Sequence, residues 1–361
     1  MERIRRRLSR QSTSDQAAAS SPSNQIYMFG GAADGSKSIL GTYNVESQTE
    51  STGSTELPQF RLGAAYAILK GRLLMLGGKA GDADVDSVDV FDLKSTRRVQ
   101  GPRLSEPRTN AACAASKNEI LLAGGTNGEV PLNSCEVYNA AKDKWFRLPS
   151  MHFLRNSFAI VWLRDGRVFA IGGFYGKSRA KTNMTASVEV YDRAWEPASD
   201  PTRPYSKWRQ VAPMTIPRGC HAAVCVEGRI LVAGGAFGEQ GAKTGLDAVE
   251  LYEPPSEACP MGQWTRIAAM KQKTALRSAV FLAGAIYAFG EDGCIEAFRT
   301  EEVKKQATAE TNSKNGEEEM ASQQASAPPV SPNCVEWFKK GNWTSLPKLT
   351  TIASLQCASS A

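Results

Sequence analysis

A chain of 361 residues, 42% of them hydrophobic, is long enough to bury a large core, and its 31 glycines suit many short strands joined by turns. The formal net charge of +6 is owed partly to five arginines among the first ten residues, so it is not a property of the folded body. Eight cysteines lie scattered with no Cys-x-x-Cys pair, which argues against a zinc or disulfide framework, and no apolar run reaches the ~18 residues that span a membrane.

Residues 1–24 open with Arg3, Arg5, Arg6, Arg7 and Arg10 and continue in Ser, Ala and Gln, with little to bury; a disordered basic tail is expected. Arg6-Arg7-Leu8-Ser9 resembles a site read by basic-directed serine kinases, with Ser9 as acceptor. The alternative is a solvated tail without a role. Nucleic acid is not an expected partner of so short a cluster.

From residue 25 onward one phrase recurs. An apolar run ends in a glycine pair at Ile26–Gly31, Leu73–Gly78, Ile120–Gly125, Val168–Gly173 and Ile230–Gly235; a sixth copy, Ile286–Gly290, has Glu291 in place of the second glycine. The first glycines stand at 30, 77, 124, 172, 234 and 290, which marks an array of similar supersecondary units. Behind the pairs come strands that carry an acid and an aromatic: Val88-Asp89-Val90-Phe91, Cys135-Glu136-Val137-Tyr138, Val188-Glu189-Val190-Tyr191 and Val249-Glu250-Leu251-Tyr252. In the last copy Cys334–Phe338 is preferred for this strand, for its spacing to Trp343, with Cys294–Phe298 as the other choice. Trp145, Trp208, Trp264 and Trp343 follow, and then Arg61, Arg108, Arg155 and Arg218 each open a strand of small residues such as Ala111-Ala112-Cys113-Ala114.

The order of glycine pair, acid-plus-aromatic strand, tryptophan and arginine resembles the kelch repeat over residues 25–361. The resemblance implies an all-β, six-bladed kelch-type β-propeller with one four-stranded blade per copy. The chain begins on the second strand of a blade, and residues 351–357 alternate like an innermost strand. The C-terminal strand is therefore expected to join the N-terminal blade and close the ring. Residues 299–333, rich in Glu, Lys, Ala, Ser and Gln, are expected to be a disordered insertion in the sixth blade.

Groups competent for catalysis are few. The only histidines are His152 and His221, in separate copies, and His221 suits an innermost strand better than a metal site. No catalytic residue, metal or cofactor is assigned. The resemblance implies instead a non-catalytic protein–protein interaction module, a scaffold or substrate-recognition subunit. Its partner would be a protein, an acidic peptide being one form, in a ubiquitin-ligase or cytoskeletal setting. A propeller enzyme of the sugar-epimerase type is the alternative. In kelch adaptors that bind acidic peptides, arginines at this repeat position and residues just after the glycine pair line one mouth of the channel. That makes Arg61, Arg108, Arg155 and Arg218, with Lys79, Phe174 and Lys273, the candidate binding residues, the other reading being that the arginines brace the loops. Thiols kept apart and reduced suit the cytoplasm, with the nucleus as a second location.

Overall fold

The computed structural model describes residues 24–32, 38–52, 61–95, 97–128, 130–178, 181–194, 207–238, 244–290, 292–299, 338, 341–349 and 352–360. Most of the basic tail with Ser9, and the insertion expected at 299–333 apart from its first residue, lie outside the described residues.

Six four-stranded antiparallel sheets form the wheel. The third blade serves as the pattern: Ala112–Ala115, Glu119–Ala123, Cys135–Asn139 and Lys144–Leu148 follow one another from the axis outward, each paired with the next. In the first blade the order is Ile352–Ser360, Gln25–Ala32, Ser38–Asn44 and Thr49–Thr52, with Met28 opposite Ala358. Each innermost strand touches the innermost strands of the blades on either side, all the way round. Crowding at the axis accounts for the small residues there: larger ones would overfill a space already at crystal-like density.

The core is divided among the seams. Six apolar clusters occur, each drawn from two neighbouring blades. Between the third and fourth blades, for example, Leu121, Ala123 and Cys135 meet Ile160, Ala170 and Tyr191. Between the sixth and first, Phe289 and Tyr287 meet Ile26, Met28 and Tyr43. Further from the axis the wedge widens and aromatics fill it. Each tryptophan stands directly across the outer strand pair from the aromatic of the acid-bearing strand: Tyr138 and Trp145, Tyr191 and Trp208, Tyr252 and Trp264, Phe298 and Trp343. Each indole N–H then donates to a carbonyl of the preceding blade: Trp145 to Pro102 at 3.0 Å, Trp208 to Pro149 at 2.9 Å, Trp264 to Ala212 at 2.8 Å and Trp343 to Ala268 at 2.9 Å.

A second set of bonds runs around the axis. Asn110 donates its amide to the Gly63 carbonyl, Ser157 to Asn110, Cys220 to Ser157 and Leu276 to Cys220. Gly63, Asn110, Ser157 and Cys220 all take left-handed backbone angles, with φ of 68°, 55°, 49° and 52°. Each stands two residues after its blade's arginine.

One strand assignment needs correction. The third strand of the sixth blade is Ile295–Arg299, not Cys334–Phe338. Ile295-Glu296-Ala297-Phe298 supplies the acid and the aromatic in the repeat's order, and Phe298 lies opposite Trp343. Spacing to the tryptophan misled because the intervening segment is inserted between the third and fourth strands. Phe338 is buried with its ring stacked 6.1 Å from that of Phe298.

Candidate protein-binding face

Alternation of strand direction puts the loops between second and third strands, and the connections from one blade to the next, at the same end of the wheel. The glycine pairs stand where these segments converge. Gly125 has φ of +93°, and a Cβ there would lie 2.7 Å from the Thr109 carbonyl oxygen, so the position demands glycine twice over. The amide of the second glycine bonds the carbonyl that follows the next connection: Gly78 to Arg108, Gly125 to Arg155, Gly173 to Arg218 and Gly235 to Thr274, each between 2.8 and 3.0 Å.

The four arginines do not line a mouth. Arg61 is 7% exposed, and Arg108, Arg155 and Arg218 are fully buried. Each reaches across its own blade to the acid of the third strand, and the repeat supplies both partners. Arg61 meets Asp89 at 3.2 Å, Arg108 meets Glu136 at 2.9 Å, Arg155 meets Glu189 at 3.0 Å and Arg218 meets Glu250 at 3.1 Å. On the way each guanidinium also donates to backbone carbonyls beside the glycine pair, that of Arg61 to Met75 at 3.0 Å. Arg108 reaches Gly124, Arg155 reaches Gly172 and Ser187, and Arg218 reaches Gly234 and Ala248. Burial pulls the pKa of Arg155 and Arg218 down, and Glu189 and Glu250 oppose it. Guanidinium groups so enclosed cannot reach a ligand's carboxylate.

The acids do further work. Glu136 accepts the amide of Ser105 at 2.9 Å, Glu189 that of His152 at 2.7 Å, Glu250 that of Thr215 at 3.0 Å and Glu296 that of Lys271 at 2.8 Å. These donors all follow the outermost strand of the preceding blade, so each acid pins the connection entering its own blade. In the sixth blade, where Thr274 stands for arginine, Glu296 takes the amide of Gln272 at 2.8 Å with its other oxygen.

The other expected residues fare differently. The first residue after each pair turns back to bridge the connection: Lys79 to Leu62, Thr126 to Thr109, Phe174 to Asn156 and Ala236 to Gly219. Phe174 is accordingly buried at 6% exposure, which corrects its placement in a binding surface. Lys79 is half-buried and donates to the Asp82 carbonyl at 3.3 Å, with Asp84 at 3.9 Å. Lys273 is exposed at this end.

The residues that do face outward belong to the next position. The chain forms two-stranded ribbons after the pair, Phe174–Ser178 with Lys181–Met184 and Ala236–Phe237 with Thr244–Gly245. Period-two alternation then sends the second residue to solvent. Tyr175 is 41% and Phe237 47% exposed. Leu62 at 56% and Val130 at 48% join them on the connection and loop of the second and third blades. Tyr175 and Phe237 are legible in the sequence as the second residue after their glycine pairs, whereas Leu62 and Val130 carry no such signal.

The axis itself holds a cavity of about 210 Å³, walled mainly by alanines of the inner strands. Among the described side chains, Tyr66, Cys113 and His221 are the titratable groups on it, and burial, reinforced by Arg218, lowers the His221 pKa to about 3. Among the described residues no group of three or more His, Cys, Asp or Glu is placed to hold a metal ion, and no helix is long and apolar enough to cross a membrane.

These repeats have known counterparts. The kelch motif matches residues 107–152, from the connection carrying Arg108 to the entry of the fourth blade. The chain is a six-bladed β-propeller with a kelch motif in its third blade. Two curated proteins are similar to this chain over part of their length. Kelch repeat and BTB domain-containing protein 12 of Danio rerio is 30% identical over 155 residues, 43% of this chain and 23% of that protein. Beta-scruin of Limulus polyphemus is 32% identical over 131 residues, 36% of this chain and 13% of that protein. The matched stretches thus span less than a quarter of either relative. Among solved structures, that of YjhT superposes on this propeller with a TM-score of 0.62 at 13% identity, covering 77% of this chain and 92% of that one. At that identity the likeness is one of fold.

Proposed function

We propose that this kelch propeller is a non-catalytic protein-binding module, and that it holds its partner on the end of the wheel carrying the glycine pairs. One observation carries the reading: Leu62, Val130, Tyr175 and Phe237, from four successive blades, leave large apolar side chains in solvent at that end. Aromatic anchors that are half-exposed on a rigid frame have the character of interface hot spots. A scaffold or substrate-recognition role, in a ubiquitin-ligase or cytoskeletal assembly, is the setting the kelch resemblance favours, and one relative's name pairs kelch repeats with a BTB domain. The cytoplasm is the proposed location, in keeping with the free thiols of Cys113, Cys135, Cys220, Cys225, Cys259 and Cys294.

Support for a non-catalytic role comes from the acids. An epimerase would need carboxylates that converge on a cavity, whereas Asp89, Glu136, Glu189, Glu250 and Glu296 are buried and held by arginines or backbone amides. None of them borders the axial cavity.

The test is a Tyr175→Ala/Phe237→Ala double variant of the full chain, compared with the wild type by quantitative affinity purification. The expected result is loss of a co-purifying protein with an unchanged melting temperature. Retention of every co-purifying protein by the folded double variant would overturn the assignment of this face.

A further inference from the structure

The opposite end of the wheel carries a second surface, independent of the first. There the turn between the inner two strands of the third blade, residues 116–118, and its counterpart in the fourth, residues 163–167, flank a groove of about 730 Å³. Trp162, half-buried at the end of the strand Ala159–Trp162, is its aromatic wall. The Arg193 guanidinium lies over that ring, 5.7 Å from its centroid, and donates to Glu119 Oε2 at 2.9 Å. Asn139 donates to the other Glu119 oxygen at 3.4 Å. Glu119, the one acid lining the groove among the described residues, is thereby neutralised within the protein. Asp165 nearby is likewise held by Arg167, with Nε at 2.8 Å.

Two cations remain. Lys117 from one blade and Arg164 from the next are exposed on the groove, and neither forms an ion pair among the described residues. Their charges add to a positive potential over a partly apolar wall, with the Asn118 side chain beside them. We propose that this groove docks an acidic peptide segment of a partner protein. Carboxylates of the segment would meet Lys117 and Arg164, and an aliphatic or backbone portion would lie along Trp162. A single-stranded nucleic acid fits less well. It wants free aromatic faces for stacking, and here one indole already has Arg193 across it, with Glu119 close by.

The probe is a fluorescein-labelled heptaglutamate peptide, titrated into the full chain at low salt and followed by anisotropy. Binding is expected, weakening as salt is raised. A Lys117→Glu/Arg164→Glu variant, altered only at exposed turn positions, is expected to raise Kd by about tenfold or more. Tyr175→Ala/Phe237→Ala should leave the titration unchanged, so failure here and failure of the first face are told apart. Wild-type affinity in the charge-reversed variant would overturn the proposal, since binding through the arginines of residues 3–10 would survive the reversal. Displacement of the peptide by a thymidine decamer that binds more tightly, through the same two residues, would overturn it in favour of nucleic acid.

Discussion

Arg155 and Glu189 meet inside the fourth blade with Nε and Nη2 on the same carboxylate oxygen, at 3.1 and 3.0 Å, and neither side chain is exposed to solvent. The other oxygen of Glu189 accepts the His152 amide and faces the His152 ring at 2.8 Å. A buried pair of this kind costs most when one partner is taken away, because a charge is then left without compensation. Arg155→Met is therefore expected to destabilise the fold by about 3–5 kcal/mol. Arg155→Met/Glu189→Leu should lose less than the two single changes together. Urea unfolding of the three variants checks this, and strict additivity would contradict it.

Two glycines with nearly the same backbone separate strain from space. Gly166 has φ of +92° and open space on every side, with no atom within 4 Å of where a Cβ would stand. Gly173 has φ of +96°, and a Cβ there would lie 2.5 Å from that of Phe158 and 2.8 Å from the Asn156 carbonyl oxygen. Gly166→Ala should cost about 1–2 kcal/mol, the penalty of a left-handed residue alone. Gly173→Ala adds a clash with the start of its own blade's innermost strand, and about 1–3 kcal/mol more is expected. Equal midpoints in thermal unfolding would show that the strand gives way at no cost.

His221 gives the fold an acid limb. Its pKa falls from 6.5 to about 3 because burial disfavours the imidazolium, with Arg218 adding repulsion. Between those values the unfolded chain binds a proton that the folded chain refuses. The stability tied to this residue is therefore intact above about pH 6.5 and declines by roughly 1.4 kcal/mol per unit as pH falls toward 3. His221→Phe puts in the residue that Phe158 supplies at the same place in the preceding blade. The variant should lose stability less steeply than the wild type between pH 7 and pH 5, as read from urea midpoints. Parallel slopes would refute the assignment.

The repeated phrases made the number of blades and the strand order legible in the chain itself, because each phrase records a packing need that recurs at every seam. What stayed hidden was direction. Arg108 reads from sequence as a cation near a mouth; only the register that sets Glu136 behind it shows that it points inward. Phe174 reads as an aromatic beside the glycine pair, yet its bridge to Asn156 turns it in and leaves Tyr175 outside. The last blade misled for another reason, since a long insertion moved the tryptophan away from its strand. The groove at Trp162 brings together two turns and a segment at residue 193, which no linear spacing connects.

Four seams each carry an indole whose N–H is bonded across to the blade before it, from the second–third seam to the fifth–sixth. Opening any of these joints would wet its own chromophore, so the protein's natural ultraviolet emission is a seam-by-seam gauge once single-tryptophan variants are made. The first blade brings no such indole among the described residues. Parting at its two borders would pass without an optical signal from this set, and would have to be followed by amide exchange instead.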